Sequence, residues 1–234
     1  MKQYFLGIEF GSTRIKAVLL DEKHAIVKSG DYTWKSSLEN GVWTYHMEDV
    51  QEGLRTAIRN LGKLPGKISA MGVSGMMHGY LAFDKDWNLL APFRTWQNTM
   101  TGEAADKLTE AFGFNIPQRW SAAHLYQAVL NGEPHVKNIA HVTTLAGYVH
   151  YLLTGENVLG VGEASGMFPI DSETLTYDAA MLDKFDALMA KYGFDWNIRA
   201  VLPEVRTAGQ SAGLLTPSGS EYLGGLPVSY THLR

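Results

Sequence analysis

The first thirty residues contain three short apolar segments in succession, and this order limits the fold more than any other feature. The segments cover residues 4–9, 15–20 and 25–27, and short polar turns separate them at 11–13 and 21–23. Apolar runs of this length between turn residues predict three consecutive strands. A dinucleotide-binding unit would place a helix directly after its first strand. The chain is therefore expected to begin with a meander, and that unit is excluded.

The rest of the chain adds helices to this sheet. An amphipathic helix is predicted next, because apolar residues recur at helical spacing at Val50, Leu54, Ile58 and Leu61. Strands are predicted at 68–73 and 80–83, and residues 158–171 are predicted to form a loop or a short strand. Further helices are predicted at 102–112, 121–131, 145–153 and 178–191. The pattern indicates one compact α/β domain, a mixed sheet flanked by helices.

Composition excludes several classes of function. The net charge is −4 and no block of lysine or arginine occurs, so a nucleic-acid partner is not expected. The chain has no cysteine, which excludes disulfides and cysteine-bound metals and fits a reducing cytosol. No stretch approaches the roughly 20 apolar residues of a membrane helix, and the first residues lack the core of a signal peptide. A cytoplasmic protein without a membrane partner is expected.

The first predicted turn carries a carboxylate, a glycine and two hydroxyl residues. Gly11 tolerates the positive φ of a tight turn, and the backbone N–H groups around it can converge on an anion. Ser12 and Thr13 add hydroxyl donors. The Glu9 carboxylate, at the strand end, could hold the hydrated Mg²⁺ that accompanies a nucleotide. Because short glycine motifs are common, a plain hairpin turn remains the simpler interpretation of these residues alone.

Two later segments carry residues suited to a sugar. His78 lies at a strand end between Met77 and Gly79, where it can donate a hydrogen bond to a sugar hydroxyl or carbonyl. Trp96, close to the amide of Asn98, suits stacking on the apolar face of a sugar ring. The alternatives are a partly exposed turn histidine and an ordinary core tryptophan.

Taken together, these segments resemble one family. The carboxylate, glycine, hydroxyl residues and downstream Lys16 resemble the phosphate loop of the actin-like ATPase and sugar-kinase superfamily. The segment 77–79 resembles the sugar-contacting segment of xylulose kinases, within the FGGY carbohydrate kinases, and that family shows a similar tryptophan. The resemblance covers nearly all of residues 3–227. It implies a ribonuclease H-like domain, with ATP and Mg²⁺ as cofactors and a small sugar as substrate.

The resemblance also assigns roles to residues. It implies that the nucleotide phosphates are bound by Gly11, Ser12, Thr13 and Lys16. It implies that Glu9 is the metal ligand. The sugar-binding residues that it implies are Met77, His78, Gly79, Trp96 and Asn98.

Four positions depart from the family pattern. Glu9 stands where the family usually has Asp, and Asn98 stands where an Asp is common. Gly160 replaces an expected Asp, and His124 replaces an expected Lys. The last two could change which sugar is accepted, although the stretches that contain them could equally serve packing and helix capping.

The resemblance concerns the N-terminal domain of these kinases. Residues 1–227 are expected to form that sugar-binding domain, and residues 228–234 to be a non-native tail, because they read like a translated sequencing adapter. The C-terminal ATP-binding domain is expected to be absent, and with it the general-base Asp, which the family places beyond Pro227. No catalytic residue is therefore predicted in this chain.

The expected parent is an ATP-dependent kinase that phosphorylates a sugar or polyol hydroxyl, with a xylulose-like ketose favoured. The chain by itself is expected to be inactive. Two alternatives remain open at this point. One is a non-kinase ATPase of the actin or chaperone type, and the other is a sugar-binding regulator that has lost catalysis. A homodimer is compatible with the resemblance, but the residues give no signal for an oligomeric state.

Overall fold

The computed structural model describes residues 2–226 and the backbone of residues 232–233. The strands are β1 (Gln3–Phe10), β2 (Arg14–Leu20), β3 (Ile26–Thr33), β4 (Ser37–Glu39), β5 (Val42–Thr44), β6 (Lys67–Gly75), β7 (Leu81–Phe83), β8 (His141–Thr143), β9 (Val158–Gly160), β10 (Glu204–Arg206) and β11 (His232–Leu233). The α-helices are α1 (Met47–Asn60), α2 (Gly102–Phe112), α3 (Ser121–Leu130), α4 (Leu145–Thr154), α5 (Val161–Ala164), α6 (Ala179–Met189), α7 (Ile198–Val201) and α8 (Pro217–Tyr222). Short 3₁₀ helices cover Pro134–Asn138 and Ala190–Tyr192.

A mixed five-stranded sheet organises the molecule, with the strand order β11-β6-β1-β2-β3. The meander β1–β2–β3 is antiparallel, whereas β6 lies parallel to β1. Both the meander and the mixed α/β sheet predicted from sequence are therefore confirmed. The backbone of β11 pairs with β6 at the opposite edge, and the remainder of the predicted tail lies outside the described residues.

The third strand is longer than predicted. The sequence predicted residues 25–27, but β3 runs from Ile26 to Thr33. Its second half is polar because it lies at the edge of the sheet. Gly30 lies at its centre, and a Cβ there would overlap the carbonyl of Ala57 in α1. Glycine generally weakens a strand, but here Gly30 is the residue that allows α1 to approach the sheet.

The hairpin formed by β4 and β5 was not predicted from the sequence. Asn40 and Gly41 form its turn with φ values of 50° and 81°, which is the left-handed pair that a two-residue turn of type I′ requires. The dipeptide Asn-Gly between short apolar segments is a strong hairpin signal, and it could have identified this element. The hairpin matters because it contacts both halves of the candidate site.

The four helices predicted after residue 101 are confirmed as α2, α3, α4 and α6. Thr144 and Asp178 cap the last two, since their side chains accept hydrogen bonds from the N–H groups of Gly147 and Met181. The prediction for 158–171 was incomplete, because strand β9 is followed by the short helix α5. Within the described residues, every helix is too short or too polar to serve as a transmembrane span.

The apolar residues form two clusters. One lies between the sheet and helices α1 and α4 and contains Phe10, Ile15, Leu19, Leu54 and Val149. The other is built mainly from helices α2, α3 and α6 and contains Leu108, Ala123, Phe168 and Phe185. The candidate site lies at the carboxyl ends of β1 and β6, two strands that contribute side chains to the first cluster.

Candidate functional site

The two segments that sequence analysis assigned to phosphate and sugar lie side by side. Strands β1 and β6 are parallel, with Phe10 opposite Gly75. The turn 11–13 continues β1, and the segment 76–79 continues β6. The N–H of Met76 donates a hydrogen bond to the carbonyl of Phe10 at 3.0 Å. The two segments with predicted functions therefore lie at the same edge of the sheet, where these neighbouring parallel strands have their carboxyl ends.

Gly11 has a different role from the one expected. Its φ lies outside the left-handed region, so the prediction of a positive φ was wrong. Glycine is favoured for another reason, since a Cβ would lie 3.1 Å from the carbonyl oxygen of Arg14. The Gly11 N–H already donates to that oxygen at 2.9 Å. It is therefore used inside the turn and is not free for an anion.

Core aromatic residues hold the turn through its carbonyl groups. The indole Nε1–H of Trp34 donates to the carbonyl of Gly11, and the hydroxyl of Tyr45 donates to that of Ser12, both at 2.7 Å. The backbone N–H of Trp34 donates to the carbonyl of Thr13 at 3.1 Å. The carbonyls thus face the core, while the N–H and hydroxyl groups of Ser12 and Thr13 have no partner in the described part of the chain. Those four donors can meet a phosphate oxygen.

Glu9 and Lys16, predicted to serve metal and nucleotide, form an ion pair. They face each other across β1 and β2, and Lys16 Nζ lies 3.0 Å from a Glu9 carboxylate oxygen. Both side chains are about half exposed, and exposed pairs of this kind are weak enough for a ligand to replace. The described residues contain no cluster of three or more metal-binding side chains. One carboxylate fits only a Mg²⁺ that keeps its waters and is shared with phosphates.

His78 occupies a strained position. Its φ is 75°, followed by 92° at Gly79, and left-handed backbone at a non-glycine residue is uncommon and carries strain. Its Nδ1 lies 3.1 Å from the carbonyl of Gly166. Burial, together with the charge of Arg119, lowers the pKa of the His78 imidazole. A neutral ring that donates from Nδ1 leaves Nε2 as an acceptor. His78 thus suits a sugar hydroxyl as an acceptor of its hydrogen bond, whereas sequence analysis expected a donor.

Residues distant in sequence hold this strained segment. The Gly79 N–H donates to the carbonyl of Arg119 at 3.0 Å, and the Ser121 hydroxyl donates to the Gly79 carbonyl at 2.6 Å. A Cβ at position 79 would lie 2.6 Å from the carbonyl oxygen of Arg94. Glycine is therefore required at position 79 by the backbone conformation and by the close approach of Arg94. Sequence analysis singled out neither Arg119 nor Ser121, and no local signal identifies them.

Trp96 reaches the same region through the strand pairing next to it. Tyr80 and Arg94 exchange two backbone hydrogen bonds, of 2.8 and 3.1 Å, so the segments leading to Trp96 and His78 run together. Trp96 is 44% exposed and Met77 is 36% exposed. This exposure fits a tryptophan that can stack on a ligand and does not fit the alternative of an ordinary core residue. Exposed apolar side chains beside a polar imidazole form a surface that suits the CH face of a sugar.

Asn98 is placed differently from Trp96. It is almost completely buried. Its Nδ2 donates to the carbonyls of Trp43 and Thr95 at 2.8 and 3.0 Å, and its Oδ1 accepts from the Trp43 N–H at 2.9 Å. These bonds use both the oxygen and the nitrogen of the side-chain amide, and they connect the β4–β5 hairpin to the loop that carries Trp96. Asn98 therefore acts on the site by positioning that loop.

A buried polar cluster supports the segment from behind. The buried Arg94 forms an ion pair with the partly buried Glu133, and the Tyr80 hydroxyl is hydrogen bonded to Nε2 of His135 at 2.8 Å. The ring of His124 is fully buried and stacks on Tyr80 with centroids 6.3 Å apart. Burial first, and then the charge of Arg94, lowers the pKa of His124 to about 3. His124 thus belongs to the packing behind the site, which supports the structural alternative for this position.

Comparisons with known proteins agree with this geometry. The sequence profile of the FGGY family of carbohydrate kinases, N-terminal domain, matches residues 4–232. A glycerol kinase from Thermococcus gammatolerans is 26% identical over 247 residues, which cover 98% of this chain and 48% of that protein. A xylulose kinase from Escherichia coli is 24% identical over 218 residues, covering 87% of this chain and 45% of that protein.

Solved structures show the same fold. The gluconate kinase from Lactobacillus acidophilus superposes with a TM-score of 0.83 at 19% identity, covering all of this chain and 47% of that one. The xylulose kinase from Rhodospirillum rubrum gives 0.82 at 21% identity, covering 98% and 48%. The chain spans about half the length of the curated relatives it matches. The profile match extends over almost the whole chain. The chain therefore belongs to the FGGY family of carbohydrate kinases and matches the N-terminal domain of that family.

Proposed function

We propose that this chain is the sugar-binding lobe of an ATP-dependent kinase that phosphorylates a hydroxyl of a sugar or polyol. The observation that supports this most is the adjacency of the turn 11–13 and the segment 76–79 at the ends of two parallel strands. A phosphate acceptor held by the second segment would lie next to phosphates held by the first. Bringing two reactants together in this way supplies much of the catalysis in phosphoryl transfer.

On the substrate side, His78, Met77 and Trp96 recognise the sugar. The neutral imidazole of His78 accepts a hydrogen bond from a hydroxyl, while the two apolar side chains cover the CH face of the substrate. A xylulose-like ketose is favoured, because segment 77–79 resembles that of xylulose kinases and several of the relatives carry that name. Glycerol is the main competitor, since the relatives also include glycerol kinases.

On the nucleotide side, the free donors of Ser12 and Thr13 bind phosphate oxygens of ATP, and Lys16 turns from Glu9 towards the phosphates. Glu9 is then free to accept hydrogen bonds from the waters of a Mg²⁺ ion. Bound Mg²⁺ neutralises charge on the phosphoryl group during its transfer. Gly11 contributes the shape of the turn through its contact with Arg14.

The remaining catalytic parts belong to a second lobe. The general base would be an Asp beyond Pro227, on a domain that closes over the sugar and excludes water. The boundary at residue 227, an ATP-binding C-terminal domain and a homodimer remain predictions. ATP as the phosphoryl donor fits a cytoplasmic protein. Residues 1–234 alone would bind sugar weakly and transfer no phosphate.

The decisive experiment uses the complete gene product. ADP release would be followed in a coupled assay with D-xylulose, glycerol and gluconate as acceptors. Trp96→Ala should raise the KM for the accepted sugar about tenfold, with the KM for ATP unchanged, because aromatic stacking contributes about 0.5–1.5 kcal/mol beyond the apolar area that it buries, and about 1.4 kcal/mol corresponds to a factor of ten. The exposed Ile26, at the far end of the sheet, provides the control Ile26→Ala.

Two results would contradict the proposal. Saturable binding of a sugar without ADP release in the complete protein would favour the regulator, a reading that the Glu9–Lys16 ion pair also allows. Tight nucleotide binding by residues 1–234 alone, measured by calorimetry, would show that the division between the two lobes is wrong.

A further inference from the structure

Gly166 is buried in the turn that follows α5. It lies next to the surface formed by Met77, His78 and Trp96, which is called the sugar surface below. The φ of Gly166 lies outside the left-handed region, so the backbone at this position does not require glycine. The reason for the absence of a side chain must therefore lie in the neighbours of Gly166.

A side chain at position 166 would overlap two residues of the sugar surface. A Cβ there would lie 2.7 Å from Nδ1 and 3.0 Å from Cε1 of the His78 ring, and 3.1 Å from Cε of Met77. Such close approaches are relieved only by movement of the surrounding atoms. Either the turn or the two side chains would have to shift.

The turn is the more rigid of the two. The backbone N–H groups of Gly166 and Met167 donate to carbonyls of α5 at 3.1 and 2.9 Å. The Met167 carbonyl accepts from the N–H of Ala122 in α3 at 3.0 Å, and Met167 is fully buried. The atoms that a Cβ would meet, in contrast, lie at the ends of side chains that can rotate. A methyl group at position 166 should therefore displace His78 and Met77 without unfolding the turn.

The carbonyl of Gly166 restricts the same imidazole in a second way. Its oxygen lies 3.1 Å from Nδ1 of His78, and a carbonyl oxygen can only accept a hydrogen bond. In the neutral ring the proton is then on Nδ1, and the free lone pair is on Nε2. One backbone group thus sets both the tautomer and the orientation of the ring.

We propose that Gly166 is a positioning residue of the sugar surface. Its lack of a side chain leaves room for Met77 and His78 to lie together, and its carbonyl keeps His78 in the tautomer that offers Nε2 to a hydroxyl of the substrate. The kinetic effect of Gly166 rests on the proposed function, whereas the tautomer of His78 in this chain does not.

The first test measures the His78 ring in residues 1–234. Long-range proton–nitrogen NMR spectra at neutral pH distinguish protonated from unprotonated ring nitrogens, and His78→Gln identifies the signals. One species is expected, with the proton on Nδ1. In Gly166→Ala these signals should shift and the second tautomer should appear. Gly162→Ala is the matched control and should leave them unchanged, because a Cβ at Gly162 would meet nothing within 4 Å.

The second test measures the kinetics of the complete protein with its accepted sugar. Gly166→Ala should raise the KM for the sugar about tenfold, because a hydrogen bond and the fit of Met77 are lost. The KM for ATP and the melting temperature should stay close to those of the original protein, as they should in Gly162→Ala. In a His78→Ala background, where no ring remains to be displaced, Gly166→Ala should raise the KM by less than about twofold.

Several results would overturn the role of Gly166. They are a proton on Nε2 of His78 in the original chain, His78 signals that are identical in Gly166→Ala, and a KM for the sugar that does not change. An equal rise in KM with and without the His78 ring would show that Gly166 does not act through His78. A complete protein that phosphorylates no sugar would refute the proposed function instead, and the tautomer measurement would still decide the role of Gly166.

Discussion

The turn 11–13 and the segment 76–79 are neighbours, but they are built in opposite ways. The turn joins two adjacent strands, has ordinary backbone angles and turns its free donors outward. The segment has left-handed backbone at His78 and Gly79, and the contact between His78 and Gly166 spans 88 positions of sequence. The turn is thus anchored by residues within 33 positions of it, whereas the segment depends on a contact 88 positions away. Substitutions near the segment should therefore lower the free energy of unfolding more than substitutions near the turn.

The largest effect is expected from acid, through His124 behind the segment. The unfolded chain binds a proton at this residue below pH about 6.5, and the folded chain only below about 3. The unfolded state therefore binds more protons in this window, and stability falls as the pH drops through it, by up to about 1.4 kcal/mol per unit.

Urea unfolding at pH 7, 6 and 5 would measure this slope, and His124→Leu should reduce it. The exposed His24 provides the control variant His24→Ala. Burial also lowers the pKa of His78, His135 and His150, so part of the slope should remain. An unchanged slope in His124→Leu would show that this residue does not carry the acid sensitivity of the segment.

The next largest effect is expected from Gly79→Ala, at about 3 kcal/mol of unfolding free energy. The methyl group would meet the Arg94 carbonyl at 2.6 Å, on a backbone with φ 92°, so overpacking adds to conformational strain. Gly113→Ala is the matched control, because its φ of 67° is similar but its Cβ would meet nothing within 4 Å. It should cost about 1 kcal/mol, because an L-residue in the left-handed region brings its Cβ close to the following carbonyl oxygen. Equal losses in the two variants would show that the distant contact is unimportant.

Asn98 tests the link between the hairpin and the Trp96 loop. Asn98→Ala should cost about 2 kcal/mol, since it leaves buried backbone groups of Trp43 without partners. Asn98→Asp should cost at least as much, because a carboxylate would face the carbonyls to which the amide donates. Thermal unfolding followed by tryptophan fluorescence would measure both. An unchanged melting temperature in Asn98→Asp would contradict the assigned bonding pattern.

The smallest effect is expected at the turn. Tyr45→Phe removes one hydrogen bond to Ser12 and should cost about 1 kcal/mol. Tyr32→Phe is the control, because the Tyr32 hydroxyl has no hydrogen-bond partner within the described residues, and little change is expected. Urea denaturation would compare them. A loss in Tyr45→Phe as large as that in Gly79→Ala would remove the contrast between the two regions.

The same contrast explains what could be predicted from the sequence. Strands β1 and β2, the turn between them and helices α2, α3, α4 and α6 follow from local apolar periodicity, and the structure confirms them. Strand β3 was predicted too short because an edge strand tolerates polar residues. The hairpin β4–β5 was missed although Asn40 and Gly41 signalled it.

The candidate site was harder to predict. Its residue types pointed to the correct family, but the sequence did not show that Lys16 pairs with Glu9, that Asn98 is buried or that Nδ1 of His78 is used by the carbonyl of Gly166. Each of these depends on partners that only the fold brings together, such as Trp43 for Asn98 and Gly166 for His78.

The short hairpin has a practical consequence for protein engineering. Trp43 is hydrogen bonded to Asn98 beside the Trp96 loop, and Tyr45, two residues later, is hydrogen bonded to Ser12 in the turn 11–13. Redesign of this hairpin would therefore shift the turn 11–13 as well as the Trp96 loop. Libraries that vary Met77 and Trp96 while keeping residues 43–45 fixed should leave the turn 11–13 in place.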